Sequence, residues 1–216
     1  MKKKQFLAIM LLAQASLASA ATMEFTDEAT FLTKIKPDYY LEDFSNYNYA
    51  GELTADFGAV NGYSWTASTT APTIPGGIAQ EPSGLFSLTN ALSTVVAQDL
   101  LTITFTGRPV TALGGIFAST DINGDVAPQQ KVIIKLSNNT SFSFFGSDFR
   151  GFTSDVAIAS LTIDAVDVDP NDSTNVFWPQ LEHFYVGVVP VPGAVWLFGS
   201  GLLGLFSLMR RRSLDN

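Results

Sequence analysis

Leu101, Ile103 and Phe105 alternate with Thr102, Thr104 and Thr106, setting one apolar face against one hydroxyl face at a period of two. An extended chain lying on a core places every second residue on one side, so this stretch reads as a half-buried strand. The pattern returns in Val132, Ile134 and Leu136 against Lys131 and Lys135, and in Phe142 and Phe144 against Ser141 and Ser143. Between those two runs, Ser137-Asn138-Asn139-Thr140 has the composition of a hairpin turn, because asparagine tolerates positive φ. Further strands are expected over 39–44, 63–68, 85–88, 93–97, 159–165 and 181–187, with the more apolar 110–118 central. Many short strands separated by turns every 8–12 residues or so predict a mostly β chain: an antiparallel β-sandwich, jelly-roll-like. One short helix should precede it. Thr26 caps it, Asp27 and Glu28 suit its first turn, Ala29, Phe31, Leu32 and Ile35 form an apolar side, and Pro37 stops it.

The two ends of the chain read differently from the middle. Lys2, Lys3 and Lys4 precede a short apolar stretch, and Ala18-Ser19-Ala20 fits the small-x-small pattern that signal peptidase cuts. Residues 1–20 are therefore expected to be a signal peptide helix, cleaved after Ala20, with Ala18 and Ala20 as the recognition residues. At the other end Val189-Pro190-Val191-Pro192 leads into an uncharged apolar run over 193–209, followed by Arg210, Arg211 and Arg212. As a helix that run is about 25 Å long, near the lower limit for crossing a bilayer. The arginines would stay on the cytoplasmic side, which leaves residues 21–188 outside. Residues 213–216 form a short tail.

Residues 189–212 resemble the PEP-CTERM sorting signal of Gram-negative bacteria, a proline motif, one hydrophobic helix and a basic cluster. Gly193, Trp196, Gly199, Gly201 and Gly204 belong to the stretch that carries the likeness, Val-Pro-Gly-Ala-Val-Trp-Leu-Phe-Gly-Ser-Gly-Leu-Leu-Gly. Val191 stands where the family's name-giving motif has glutamate. The resemblance implies transient anchoring in the inner membrane and processing by exosortase, after which the protein reaches the cell surface or the extracellular matrix. An ordinary permanent anchor, with the glycines as a helix-packing face, is the competing expectation. A looser likeness to the ectodomains of that family lies in Leu41-Glu42-Asp43-Phe44, Phe149 to Asp155, and His183-Phe184-Tyr185-Val186-Gly187. It implies a jelly roll similar to carbohydrate-binding modules, with a turn over 151–155.

Residues 21–188 hold one domain's worth of chain, enough for a sizeable core. The chain has no cysteine, which excludes disulfides, thiolate metal sites and a cysteine nucleophile. Within 21–188 there are six basic and nineteen acidic side chains, a net charge of −13. Such a balance repels nucleic acid and anionic lipid and favours solubility.

The search for chemistry in this domain returns little. His183 is the single histidine, with no partnering serine and carboxylate motif, and reads as structural. Gly199-Ser200-Gly201 lies inside the apolar run and is no nucleophile elbow. With nineteen acids a close carboxylate pair is unremarkable, so a glycan hydrolase remains only a rival expectation and the chain reads as non-enzymatic. Asp164, Asp167, Asp169 and Asp172 place oxygen ligands along one loop that calcium could use, and Asp121, Asn123 and Asp125 around Gly124 do so more weakly. Turn chemistry explains both clusters without metal, and no other cofactor is expected. Tyr47 and Tyr49, in the polar stretch Ser45-Asn46-Tyr47-Asn48-Tyr49, and Trp178 could stack on sugar rings. The alternative is that these rings pack back on the sandwich. The partners this reading implies are signal peptidase, exosortase, the inner membrane and an extracellular polysaccharide.

Overall fold

The computed structural model describes residues 21–71, 81–88, 90–168 and 176–190. In chain order they form β1 (Thr22–Phe25), α1 (Glu28–Leu32), β2 (Tyr40–Glu42), β3 (Ala50–Glu52), β4 (Thr54–Val60), β5 (Tyr63–Thr70), β6 (Leu85–Leu88) and β7 (Ala91–Thr94). Then come β8 (Leu100–Phe105), β9 (Ala112–Thr120), β10 (Lys131–Leu136), β11 (Ser141–Phe145), β12 (Ser147–Ser154), β13 (Ser160–Val166) and β14 (Trp178–Gly187). One sheet runs β1-β12-β9-β14-β7-β6-β3, with β2 also on β14, and the other runs β11-β10-β13-β8-β5-β4. Every pairing of these strands is antiparallel. From β8 onward the chain passes back and forth between the sheets, as in a jelly roll, so the mostly β sandwich expected from the alternation is what forms.

The alternation does its work at the interface of the sheets. Leu101 and Ile103 of β8, Val132 and Ile134 of β10, and Leu161 and Ile163 of β13 are all fully buried there. From the opposite sheet Leu113, Phe117, Leu181 and Phe184 meet them in one apolar cluster. Asn139 takes φ 67° in the turn joining β10 to β11, as its residue type allows.

Several local expectations need correction. Asp27, not Thr26, caps the helix, its Oδ1 accepting from the Thr30 N–H at 2.8 Å. The segment read as a turn at 151–155 is mostly strand, since β12 pairs with β9 from Ser147↔Ala118 to Thr153↔Ala112. Gly151 conceals it: a Cβ there would lie 2.5 Å from Cδ2 of Phe31, so glycine is what lets α1 lie on the sheet. Phe31, Ile35, Ala112 and Tyr185 form a second small core on this outer face. Strands β1, β3 and β4 carried too weak an apolar pattern to be anticipated.

No helix among the described residues is long and apolar enough to cross a membrane. The expected signal peptide, with Ala18 and Ala20, and the expected span over 193–209 with Arg210, Arg211 and Arg212 lie outside the described residues.

Candidate functional site

Among the described residues an open cleft of about 280 Å³ lies on the first sheet. It is lined by Phe86, Ser93, Thr94, Val95, Thr120 and Asp121, with Ile122, Gly124 and Trp178 completing it. Register explains the assembly. Phe86 pairs with Ser93, Ser93 with Gln180, and Trp178 with Thr120, so neighbouring strands turn these side chains to one face. Leu85, Leu92 and Leu181, one position away on the same strands, point into the core. The cleft thus lies on the outer surface of the sheet, at the end where β9 finishes and β14 begins.

Trp178 is half-buried and held in place. Its indole Nε1–H donates to the carbonyl of Val95 at 3.1 Å, which fixes the ring and leaves its apolar surface for contact. Val95, Phe86 and Ile122 add exposed apolar surface, Ile122 at 80% exposure. Polar groups sit among them. The Ser93 hydroxyl is already committed to the Pro179 carbonyl at 2.9 Å. Asp121 organises the adjacent loop, its Oδ1 accepting from the N–H groups of Asn123 at 2.8 Å and Asp125 at 3.0 Å. Burial works to raise the Asp121 pKa, but those backbone donors and the Asn123 amide overcome it and hold the carboxyl below its ordinary range.

The other sequence-predicted residues scatter. Tyr47 and Tyr49 stack on each other with centroids 5.5 Å apart and planes 15° from parallel, and both rest against buried Phe57. The Tyr47 hydroxyl donates to Glu42 at 3.2 Å, beside the Tyr40 hydroxyl that shares the same carboxylate. They are part of the sandwich, and their segment runs beside the strand of Phe86, the Tyr49 N–H donating to Ser87 Oγ at 2.8 Å and Ala50 pairing with Phe86, while their rings pack on the core cluster. Asp164 sits on β13, its pKa raised by burial and only partly countered by Lys135. Asp167 follows that strand, while Asp169 and Asp172 lie outside the described residues. Among the described residues no group of three or more His, Asp and Glu is placed to hold a metal ion. His183 is exposed, at φ 44°, in the irregularity of β14 between Glu182 and Tyr185.

Of the sorting motif, Val189 and Pro190 are described. The Val189 N–H donates to Thr111 Oγ1 at 2.9 Å, and Pro190 is exposed. Val191, Pro192, Gly193, Trp196, Gly199, Gly201 and Gly204 lie outside the described residues. Sequence reasoning found Trp178 and Asp121 separately and missed Phe86, Val95 and Ile122. Ile122 did carry a signal, an apolar residue in the polar turn Asp121-Ile122-Asn123-Gly124-Asp125 with no strand to bury it.

By its architecture the chain is an antiparallel β-sandwich with a shallow aromatic cleft on one outer sheet face. No family model matches it, and no curated protein matches it. Among solved structures it is similar to the CBM22-1 xylan-binding domain of Xyn10C from Paenibacillus barcinonensis, at 12% identity and a TM-score of 0.29. That alignment covers 70% of this chain and 94% of the other, and at such a score it carries no argument about fold or ligand.

Proposed function

We propose that this is an exported, non-enzymatic surface or matrix protein whose sandwich binds polysaccharide in the cleft at Trp178. Its C-terminal segment is delivered to exosortase. The cleft is the observation that carries the binding reading. An indole fixed at one edge, flanked by Phe86 and Val95, offers apolar surface to a sugar ring, while Asp121 stands where a hydroxyl can be hydrogen-bonded. Asp121 is the only carboxylate lining the cleft among the described residues. Glycoside hydrolysis uses two, so the arrangement suits holding a glycan rather than cutting one. The sorting part rests on the sequence of residues 189–212.

Both parts are tested on protein recovered from the producing cell. Retention of the mature protein in gels cast with the cell's own exopolysaccharide should fall about tenfold in Trp178→Ala, consistent with loss of one stacking contact. Ile122→Asp should reduce it with no loss of stability, because that side chain is exposed. Unchanged retention in both variants would refute the binding site. Intact mass should show an N-terminus at Ala21 and a C-terminus near Pro192. A protein still carrying Trp196 to Arg212 would instead be a permanently anchored sandwich.

A further inference from the structure

Strand β14 joins two features that sit at its opposite ends. Trp178, its first residue, lines the cleft, and Gly187, its last, leads into Val188, Val189 and Pro190. The neighbouring strand confirms the polarity, with Trp178 opposite Thr120 and Gly187 opposite Ala112. Ten extended residues at about 3.3 Å each separate these ends by about 30 Å.

The chain does not leave the sandwich on a slack linker. The Val188 carbonyl accepts from the Lys36 N–H at 3.0 Å, and the Val189 N–H is held by Thr111. Val188 packs against the main core and Val189 against the core under α1. From Val189 to Gly193 is four Cα steps, at most about 14 Å of reach.

Charge is divided along the same axis. The domain is strongly acidic as a whole, yet three of its six basic side chains, Lys34, Lys36 and Arg108, lie at the tail end. Lys36 is placed there by its bond to Val188, and Lys34 is two residues before it. Arg108 is placed by its ion pair with Asp38 at 2.7 Å. Neither Lys34 nor Lys36 forms an ion pair among the described residues. The acids towards this end all have partners: Asp38 is engaged by Arg108, Glu24, level with Val186, pairs with Arg150, Glu28 accepts from the Tyr185 hydroxyl, and Asp155 accepts from the Ala21 N–H at 2.9 Å, which leaves Lys34 and Lys36 as the uncompensated charges. Asp121, Asp125 and Asp167 lie at the cleft end, where β9 and β13 finish.

We infer that the tail-exit end of the sandwich is a membrane-contact surface, with Lys34 and Lys36 against anionic lipid headgroups and the Trp178 cleft facing away from the bilayer. The inference rests on reading 193–209 as a membrane span. The short tether holds the tail end near the lipid surface. The acids at the cleft end stand about 30 Å further out, several times the screening length of about 8 Å at physiological salt, and feel little repulsion. The net charge of −13 would keep a free domain off anionic lipid, but tethering and this division of charge select one orientation.

The absence of cysteine supplies the test. Full-length chain carrying Pro109→Cys or Ile122→Cys is labelled at that single thiol and reconstituted into phosphatidylglycerol or phosphatidylcholine vesicles containing a headgroup-attached quencher. Insertion is read separately, as co-flotation that survives about 1 M salt, which removes purely electrostatic binding. The label at 109 should be quenched several-fold more than the label at 122, and more on the anionic vesicles. Lys34→Gln with Lys36→Gln should remove that anionic preference, about fivefold per lysine. Equal quenching at 109 and 122 in inserted protein, or a preference indifferent to both lysines, overturns the contact surface while leaving the span intact. Failure to co-float shows that the span reading itself is wrong, and the inference falls with it.

Discussion

Phe57 lies flat on Trp65, ring centroids 4.0 Å apart and planes 7° from parallel, across the β4–β5 ladder where the two residues are register partners. Phe44 meets both rings edge-on, and Phe184 meets Trp65 edge-on from the opposite sheet at 5.3 Å. This aromatic group ties the sheets together at their β5 and β14 strands. Trp65→Ala should cost about 3–5 kcal/mol, because a fully buried ring leaves a cavity that its rigid neighbours cannot fill. Urea denaturation of the wild type and variant measures this, and a loss below about 1.5 kcal/mol would show that the group is not a keystone of the core.

The seat of α1 makes a second prediction. Gly151→Ala would drive its methyl group into Phe31, whose ring atoms already lie 2.5 and 2.6 Å from the ideal Cβ position. The variant should lose about 1–3 kcal/mol through displacement of the helix. Phe31→Leu in the same background should recover part of that loss. No recovery in the double variant would place the strain in the β12 backbone instead.

Tyr47 and Tyr49 should behave as structural residues. Changing both to Ala removes a stacked pair and its contacts with Phe57, and strands the Glu42 carboxylate with one hydroxyl partner fewer. A destabilisation of about 2–4 kcal/mol is expected. Polysaccharide retention of the folded fraction should stay unchanged. Loss of retention with stability intact would return the glycan site to these tyrosines.

Alkaline pH should unfold the protein through its phenols. Burial, then the charge of and bond to Glu42, push the Tyr47 pKa up from 10.0 to about 12. Burial also leads the upward shifts of Tyr40, Tyr49, Tyr63 and Tyr185. A raised phenol pKa favours the neutral form in the fold, so its contribution is complete below pH 10 and is lost as pH climbs from about 10 towards 12. The urea midpoint should therefore hold level up to pH 10 and drop beyond it, and Tyr47→Phe should shallow the drop. A Tyr47→Phe profile identical to wild type would show that Tyr47 contributes nothing to it.

The strands that the sequence revealed are those whose signal is local. In β8, β10 and β11 the period of two needs only residues i and i+2, and a core on one side is enough to write it into the composition. β12 was hidden because its middle residue, Gly151, answers to a helix ring 120 positions earlier in the chain. β3 was hidden because Ala50, Gly51 and Glu52 are all exposed and carry no apolar face, and β4 because its buried face is only Ala55 and Phe57 before the chain turns at Gly58 and Ala59.

The cleft shows the same division. Trp178 and Asp121 could be singled out by type, as a large aromatic and an acid in a turn. Their meeting with Phe86 and Val95 depends on the order β9-β14-β7-β6 and on registers between segments up to 90 residues apart. The sequence alone determined that the chain is cysteine-free and acidic and that its alternating stretches fold as a β-sandwich. Tertiary structure alone decided which side chains share a face, that the tyrosine pair is part of the packing, and that the cleft and the departing tail occupy opposite ends of one strand. The physical reason is that alternation encodes only the side of a strand that is buried, while sheet order and register are settled by long-range packing of the whole core.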